Sequence, residues 1–182
     1  MPDPLMDAIA VDSRAFAGLA LASPAPGQPV RATGVRVVCR RAADSFPGLC
    51  ERRVFPGHEA ELGRLRRWLA GLLPDVPARD DVIVVAVELA TNAVRHTASG
   101  HGGCFAVEIT WHARVAMLRV AVADCGGPTE PRAQAHVDPL SERGRGLQMV
   151  RGLAARIGSL GDHRGRLMWA DMRFLAVIEL PG

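Results

Sequence analysis

The sequence predicts an α+β fold, a two-layer α/β sandwich in which helices cover one face of a mixed, mainly antiparallel sheet. Three observations predict it. Apolar residues recur at helical spacing in two stretches, 59–73 and 82–97, and β-rich runs lie side by side at 105–111 and 115–123. The element order, strand, helix, helix, two strands, loop, helix, two strands, segregates the helices to one layer. Finally, 182 residues of 48% hydrophobic content suffice for one ordinary core and not for two.

Taken in order, residues 1–48 are Ala- and Pro-rich, with Pro24, Pro26 and Pro29 close together and only Val35 to Val38 strand-like. They are expected to form a poorly ordered extension, leaving 49–182 as the folded domain. Arg52-Arg53-Val54-Phe55 reads as a short strand ended by Pro56-Gly57. In the next stretch Leu62, Leu65, Trp68, Leu69 and Leu72 share one helical face, Glu61, Arg64 and Arg67 fall elsewhere, and Pro74 stops the helix. Asp80-Asp81 suit the start of a second helix, along which Val82, Val85, Ala86, Leu89 and Ala93 form the apolar stripe. Two β-rich runs then form a hairpin whose second strand, ending at Ala123, is largely buried. Residues 126–144 read as a long mobile loop, 146 to about 157 as a helix, and 166–169 with 174–180 as two final strands.

Composition excludes several functions. The formal charge is +3, and all 22 basic residues are Arg. Without a single Lys, neither a P-loop nor a eukaryotic-type kinase site can be built. Cys39, Cys50, Cys104 and Cys125 form no C-x-x-C pair, and His101 before Cys104 lacks a second pair to complete a zinc site. Reduced, buried thiols are expected. Acids at Asp3 and Asp7, and the lack of any apolar run near ~18 residues, lead to the expectation of a soluble cytoplasmic protein with no membrane contact. Scattered arginines and 4% aromatic residues argue against direct nucleic-acid binding.

Three polar clusters carry chemistry. Glu88, Asn92 and His96 stand at i, i+4 and i+8, on the shoulder of the apolar stripe. A carboxylate there suits a general base, and the Asn one turn later offers a neutral oxygen to a magnesium ion. His96, His101 and His112 do not converge on a metal-ligand pattern. Asp124 ends an apolar strand, where it can accept a hydrogen bond from an exocyclic amine, and Gly126-Gly127 let a flat ring approach the backbone. Gly144-Arg145-Gly146 opens a helix whose free N–H groups and dipole favour phosphate, with Arg143 and Arg145 adding positive charge. Each cluster alone has an ordinary structural explanation, as a solvated helix side, an Asp-x-Gly turn and a flexible connection.

Together and in this order they resemble the N-box, G1 box and G2 box of the GHKL ATPase superfamily, which surround ATP in a Bergerat fold. Glu88-Leu-Ala-Thr-Asn92-Ala-Val-Arg-His96 is similar to the first, Asp124-Cys-Gly126-Gly127 to the second, and Gly144-Arg-Gly146-Leu147 to the third. Phe55-Pro-Gly, the helix around Arg66-Arg67-Trp68-Leu69, and Asp80-Asp81 resemble the small anti-sigma-factor serine kinases of high-GC bacteria. The resemblance implies Glu88 as catalytic base and Asn92 as magnesium ligand. It further implies Asp124 as adenine anchor, with Gly126 beside it, Gly144 and Gly146 as phosphate contacts, and 128–143 as the ATP lid. Pro128 stands where the Asp-x-Gly-x-Gly pattern has its second Gly.

ATP and Mg2+ are therefore the expected ligands, and a sigma factor and an anti-anti-sigma protein the partners implied by the resemblance; pairing into a homodimer is left open. Two functions remain: a serine/threonine kinase acting on the anti-anti-sigma partner, and a non-catalytic module whose affinity for a partner changes with nucleotide. An autophosphorylating histidine kinase is not expected, since no His precedes His58.

Overall fold

The computed structural model describes residues 50–112, 116–127 and 145–174. The elements are β1 (Cys50–Pro56), α1 (Glu59–Leu72), α2 (Ala78–His96), a single 3-10 turn (Ala98–Gly100), β2 (Cys104–His112), β3 (Met117–Asp124), α3 (Arg145–Leu153), β4 (Arg156–Asp162) and β5 (Gly165–Arg173). The five strands form one sheet in the order β1-β2-β3-β5-β4, and all four pairings are antiparallel. The expected α+β sandwich is present, and every described strand pairing is antiparallel rather than mixed.

Helix α1 buries Leu65 and Leu69 completely, and its last turn closes with Leu73 N–H donating to Leu69 O before Pro74 ends it. Glu61 departs from the expected pattern. It is only 6% exposed, and Arg64 one turn on donates to its Oε1 at 2.8 Å, so a charge pair shields the carboxylate at the rim of the apolar stripe. Helix α2 starts four residues before Val82, placing Asp80 and Asp81 in its first turn and Arg95 and His96 in its last, the arrangement that suits the helix dipole at both ends. Its buried set adds Ile83, Ala90 and Val94 to the expected stripe, because α2 lies on the sheet with α1 and α3 on either side of it.

Strand β3 is buried along all eight residues. Leu118, Val120 and Val122 face the helices with Phe105, Val107 and Ile109 of β2, while Ala121 and Ala123 join Ala106 and Leu167 in a second small cluster on the opposite face. On that opposite face Arg119 forms two hydrogen bonds with Asp171 directly across the ladder, at 2.6 and 2.8 Å, and its guanidinium lies 4.5 Å from the Trp169 ring centre. Asp171 is 1% exposed.

The C-terminal part corrects the expected boundaries. Helix α3 ends at Leu153 rather than near 157: Ala154 N–H still donates to Val150 O, but Ala155 N–H donates to Asp171 O and the chain enters the sheet. The expected strand at 166–169 lies within the longer β5, which pairs with β3 on one side and with β4, a strand not expected from the sequence, on the other. Phe174 follows β5 and is buried, whereas 175–180 lies outside the described residues. Also outside them are the N-terminal extension, including Val35 to Val38, and the loop 128–144.

Candidate functional site

Helix α2 is the rail on which the site is assembled. Glu88 and His96 are eight residues apart on one side of it, a separation of about 12 Å at the α-helical rise. At the Glu88 end lies the first turn of α3. A methyl group added to Gly146 would come within 2.2 Å of Glu88 Oε2 and 3.2 Å of its carboxyl carbon, so the carboxylate lies directly against the backbone of that turn. Only a residue without a side chain permits this approach. Leu147, next along α3, is partly buried against the main core. Arg145 begins the helix, and Gly144 and Arg143 fall outside the described residues.

At the His96 end lies the turn after β3. Gly127 packs against the α2 terminus, where an added Cβ would stand 3.2 Å from both His96 O and Thr97 Cα, while the His96 side chain is exposed. Ala98 N–H donates to Gly126 O at 2.7 Å, and Cys125 N–H donates to Ser99 Oγ at 2.9 Å. Thr97 holds this corner from within, its hydroxyl donating to Ala93 O and accepting from Ser99 N–H. Gly126 has φ +73, and a side chain there would approach His163 O to 2.3 Å, so the β4–β5 turn backs the loop.

Asp124 is the buried acid of this corner, 6% exposed, with Oδ1 accepting from Gly126 N–H at 2.7 Å. Burial lifts its carboxyl from 3.8 to about 6, against the pull of the Gly126 N–H and of Arg166 opposite, and with a smaller push from Cys125. A carboxyl so placed gains from a hydrogen-bond donor that replaces lost water.

Between the two ends stands Asn92, half-buried, its Nδ2 buried without a hydrogen-bond partner among the described residues. An amide N–H is a donor and does not ligate a cation, so the magnesium role expected of Asn92 would fall to its Oδ1. No group of three metal-ligating side chains occurs among the described residues. Two surface grooves, of about 480 Å3 beside Arg53, Arg67 and Trp68 and about 350 Å3 beside Ala78, Leu153 and Met172, include none of Glu88, Asp124 or Gly146.

Of the residues expected from the sequence, Glu88 meets Gly146 and His96 meets Gly127. A family model described as "Histidine kinase-like ATPase domain" matches residues 55–174. The chain belongs to this family. As a histidine kinase-like ATPase domain it binds ATP; α2 carries the first motif and touches Gly146 of the third and Gly127 of the second. No curated protein matches the chain. Among the described residues, no helix of the ATPase domain is long and apolar enough to cross a membrane. The scaffold residues Thr97 and Ser99, which hold the Asp124 corner, were not anticipated; the Thr-x-Ser pattern just past the helix was their only signal.

Proposed function

We propose that this chain is an ATP-dependent serine/threonine kinase and regulator of the anti-sigma-factor type, acting in the cytoplasm on an anti-anti-sigma partner. The observation that supports it most is the Glu88 carboxylate set against the first turn of α3. That arrangement puts a proton acceptor beside the N–H groups that favour the terminal phosphates. Asp124 accepts from the adenine amine at the other end of the rail, and Gly126-Gly127 receive the ring. Glu88 takes the proton of the incoming serine hydroxyl, and the amides opening α3, with Arg145 in that turn, balance charge at the phosphoryl group. Bound Mg2+, held through Asn92, would neutralise the phosphate oxygens.

Incubating the chain with labelled ATP and candidate anti-anti-sigma proteins tests this. Label should pass to a serine of one of them, and Glu88→Ala should retain ATP affinity yet lose transfer by about 10²-fold or more. Transfer by the variant at the parent rate would refute the role of Glu88. Binding of ATP without transfer to any partner would leave the non-catalytic module as the function. In thermal-shift titrations Asn92→Ala should abolish the magnesium-dependent part of the ATP-induced rise in melting temperature; an unchanged shift would remove Asn92 from the metal site.

A further inference from the structure

Two cysteines meet under the nucleotide corner and have no part in the reading above. Cys125 sits between Asp124 and Gly126, just past the end of β3, and Cys104 is the first residue of β2. The last ladder pair between these strands is Ala106↔Ala123, so counting two residues outward on each side sets Cys104 opposite Cys125 on one face. Both are free thiols and both are buried, 6% and 7% exposed. Cys125 Sγ donates to Cys104 O at 3.3 Å, and a Cβ built on the neighbouring Gly103 would stand 3.0 Å from that same sulfur.

We propose that Cys104 and Cys125 are a modification site at which hydrogen peroxide closes a reversible disulfide, deforming the Asp124–Gly127 turn and weakening adenine-nucleotide binding. The nucleotide clause rests on the assignment of that turn to adenine. The two thiols are unequal, as an attacking and a resolving sulfur must be. Hydrogen bonding from the Cys104 side chain lowers Cys125 to about 6 despite burial. The same side-chain contact, with burial, raises Cys104. The Cys125 thiolate attacks a peroxide oxygen, an S–O bond forms as the O–O bond breaks, and the released hydroxide takes a proton to become water. Cys104 sulfur then attacks Cys125 sulfur, forming S–S and breaking S–O, and its thiol proton leaves with the hydroxide as a second water. Two thiols and one peroxide thus give one disulfide and two waters.

Closing the disulfide would draw the turn inward. Directly opposed residues of an antiparallel pair have Cβ atoms about 4.5–5.5 Å apart, whereas a disulfide draws them to about 3.5–4.5 Å. Cys125 is tied by its N–H to Ser99 and is flanked by the two residues whose Oδ1 and N–H pair with each other, so this movement is passed to Asp124 and Gly126.

The test uses the full chain with Cys39→Ala and Cys50→Ala, which removes the other thiols. It is treated with hydrogen peroxide, mapped for linked peptides by mass spectrometry, and titrated with trinitrophenyl-ATP. A Cys104–Cys125 cross-link, a loss of probe affinity of about tenfold or more, and recovery of both by dithiothreitol are expected. Cys104→Ser should keep its reduced-state affinity after peroxide. Peptide maps lacking the 104–125 link overturn the proposal, as does a link that leaves affinity unchanged. If the reduced chain fails to bind the probe, the adenine assignment falls instead, while the map still decides whether the disulfide forms.

Discussion

The two ends of α2 hold the site by different means. At the His96 end, backbone and buried side-chain hydrogen bonds fix the Asp124–Gly127 turn to the corner that follows the helix, and the β4–β5 turn presses on it from behind. At the Glu88 end the observed element is one close approach, a carboxylate against a glycine backbone. The Asp124 end is therefore built into the fold, and changes there should register in stability. The Glu88 end is a matter of placement, and under the proposed function changes there should register in turnover.

The largest effect should come from breaking the fixed end. Gly126→Val forces a branched side chain into positive φ and into His163 O, so denaturant unfolding should show a loss of about 3 kcal/mol or more, together with loss of ATP binding. A loss under about 1 kcal/mol would mean that the turn is not held as described.

Asp124 sharpens the comparison through pH. Because its carboxyl is raised from 3.8 to about 6 in the folded chain, the native state holds that proton more tightly than the unfolded chain does. Its contribution to stability is complete below about pH 4 and is lost as pH rises through about 6. Asp124→Asn cannot titrate and keeps an acceptor for Gly126 N–H. Its stability relative to the parent should grow by on the order of 2–3 kcal/mol between pH 4 and pH 7 in urea denaturation. Parallel profiles for the two proteins would contradict the buried-acid account.

The smallest effect on stability belongs to the other end. Gly146→Ala displaces only the tip of a flexible Glu88 side chain and gains helix propensity. Stability should stay within about 1 kcal/mol of the parent while phosphate transfer falls about tenfold or more. A stable variant with undiminished transfer would show that the Glu88–Gly146 approach has no catalytic consequence.

Much of this was legible in the sequence, and unevenly so. The stripe of α2 and the Val-rich β3 announce themselves because burial demands a regular apolar period. Strand β4 was missed because Gly158, Ser159 and Gly161 carry little β signal: it is an edge strand, and Gly158 has its Cα covered by the Trp169 indole, so no side chain reports the alternation. The insertion of β5 between β3 and β4 is a long-range pairing that no local pattern encodes. Of the site, Glu88, Asn92 and His96 are legible as helical spacing. That Glu88 faces Gly146 depends on how α2 and α3 pack, and only the family resemblance anticipated it.

The Arg119–Asp171 bridge has a consequence for alignment. Side chains alternate between the faces of a strand, so sliding β5 by one residue would turn Asp171 inward among Leu118 and Val120, an uncompensated charge costing several kcal/mol. The same slide would move Arg166 away from its place opposite Asp124. A charge pair on the face away from the helices therefore acts as a ratchet tooth, admitting only the strand alignment in which the buried acid has its cationic neighbour.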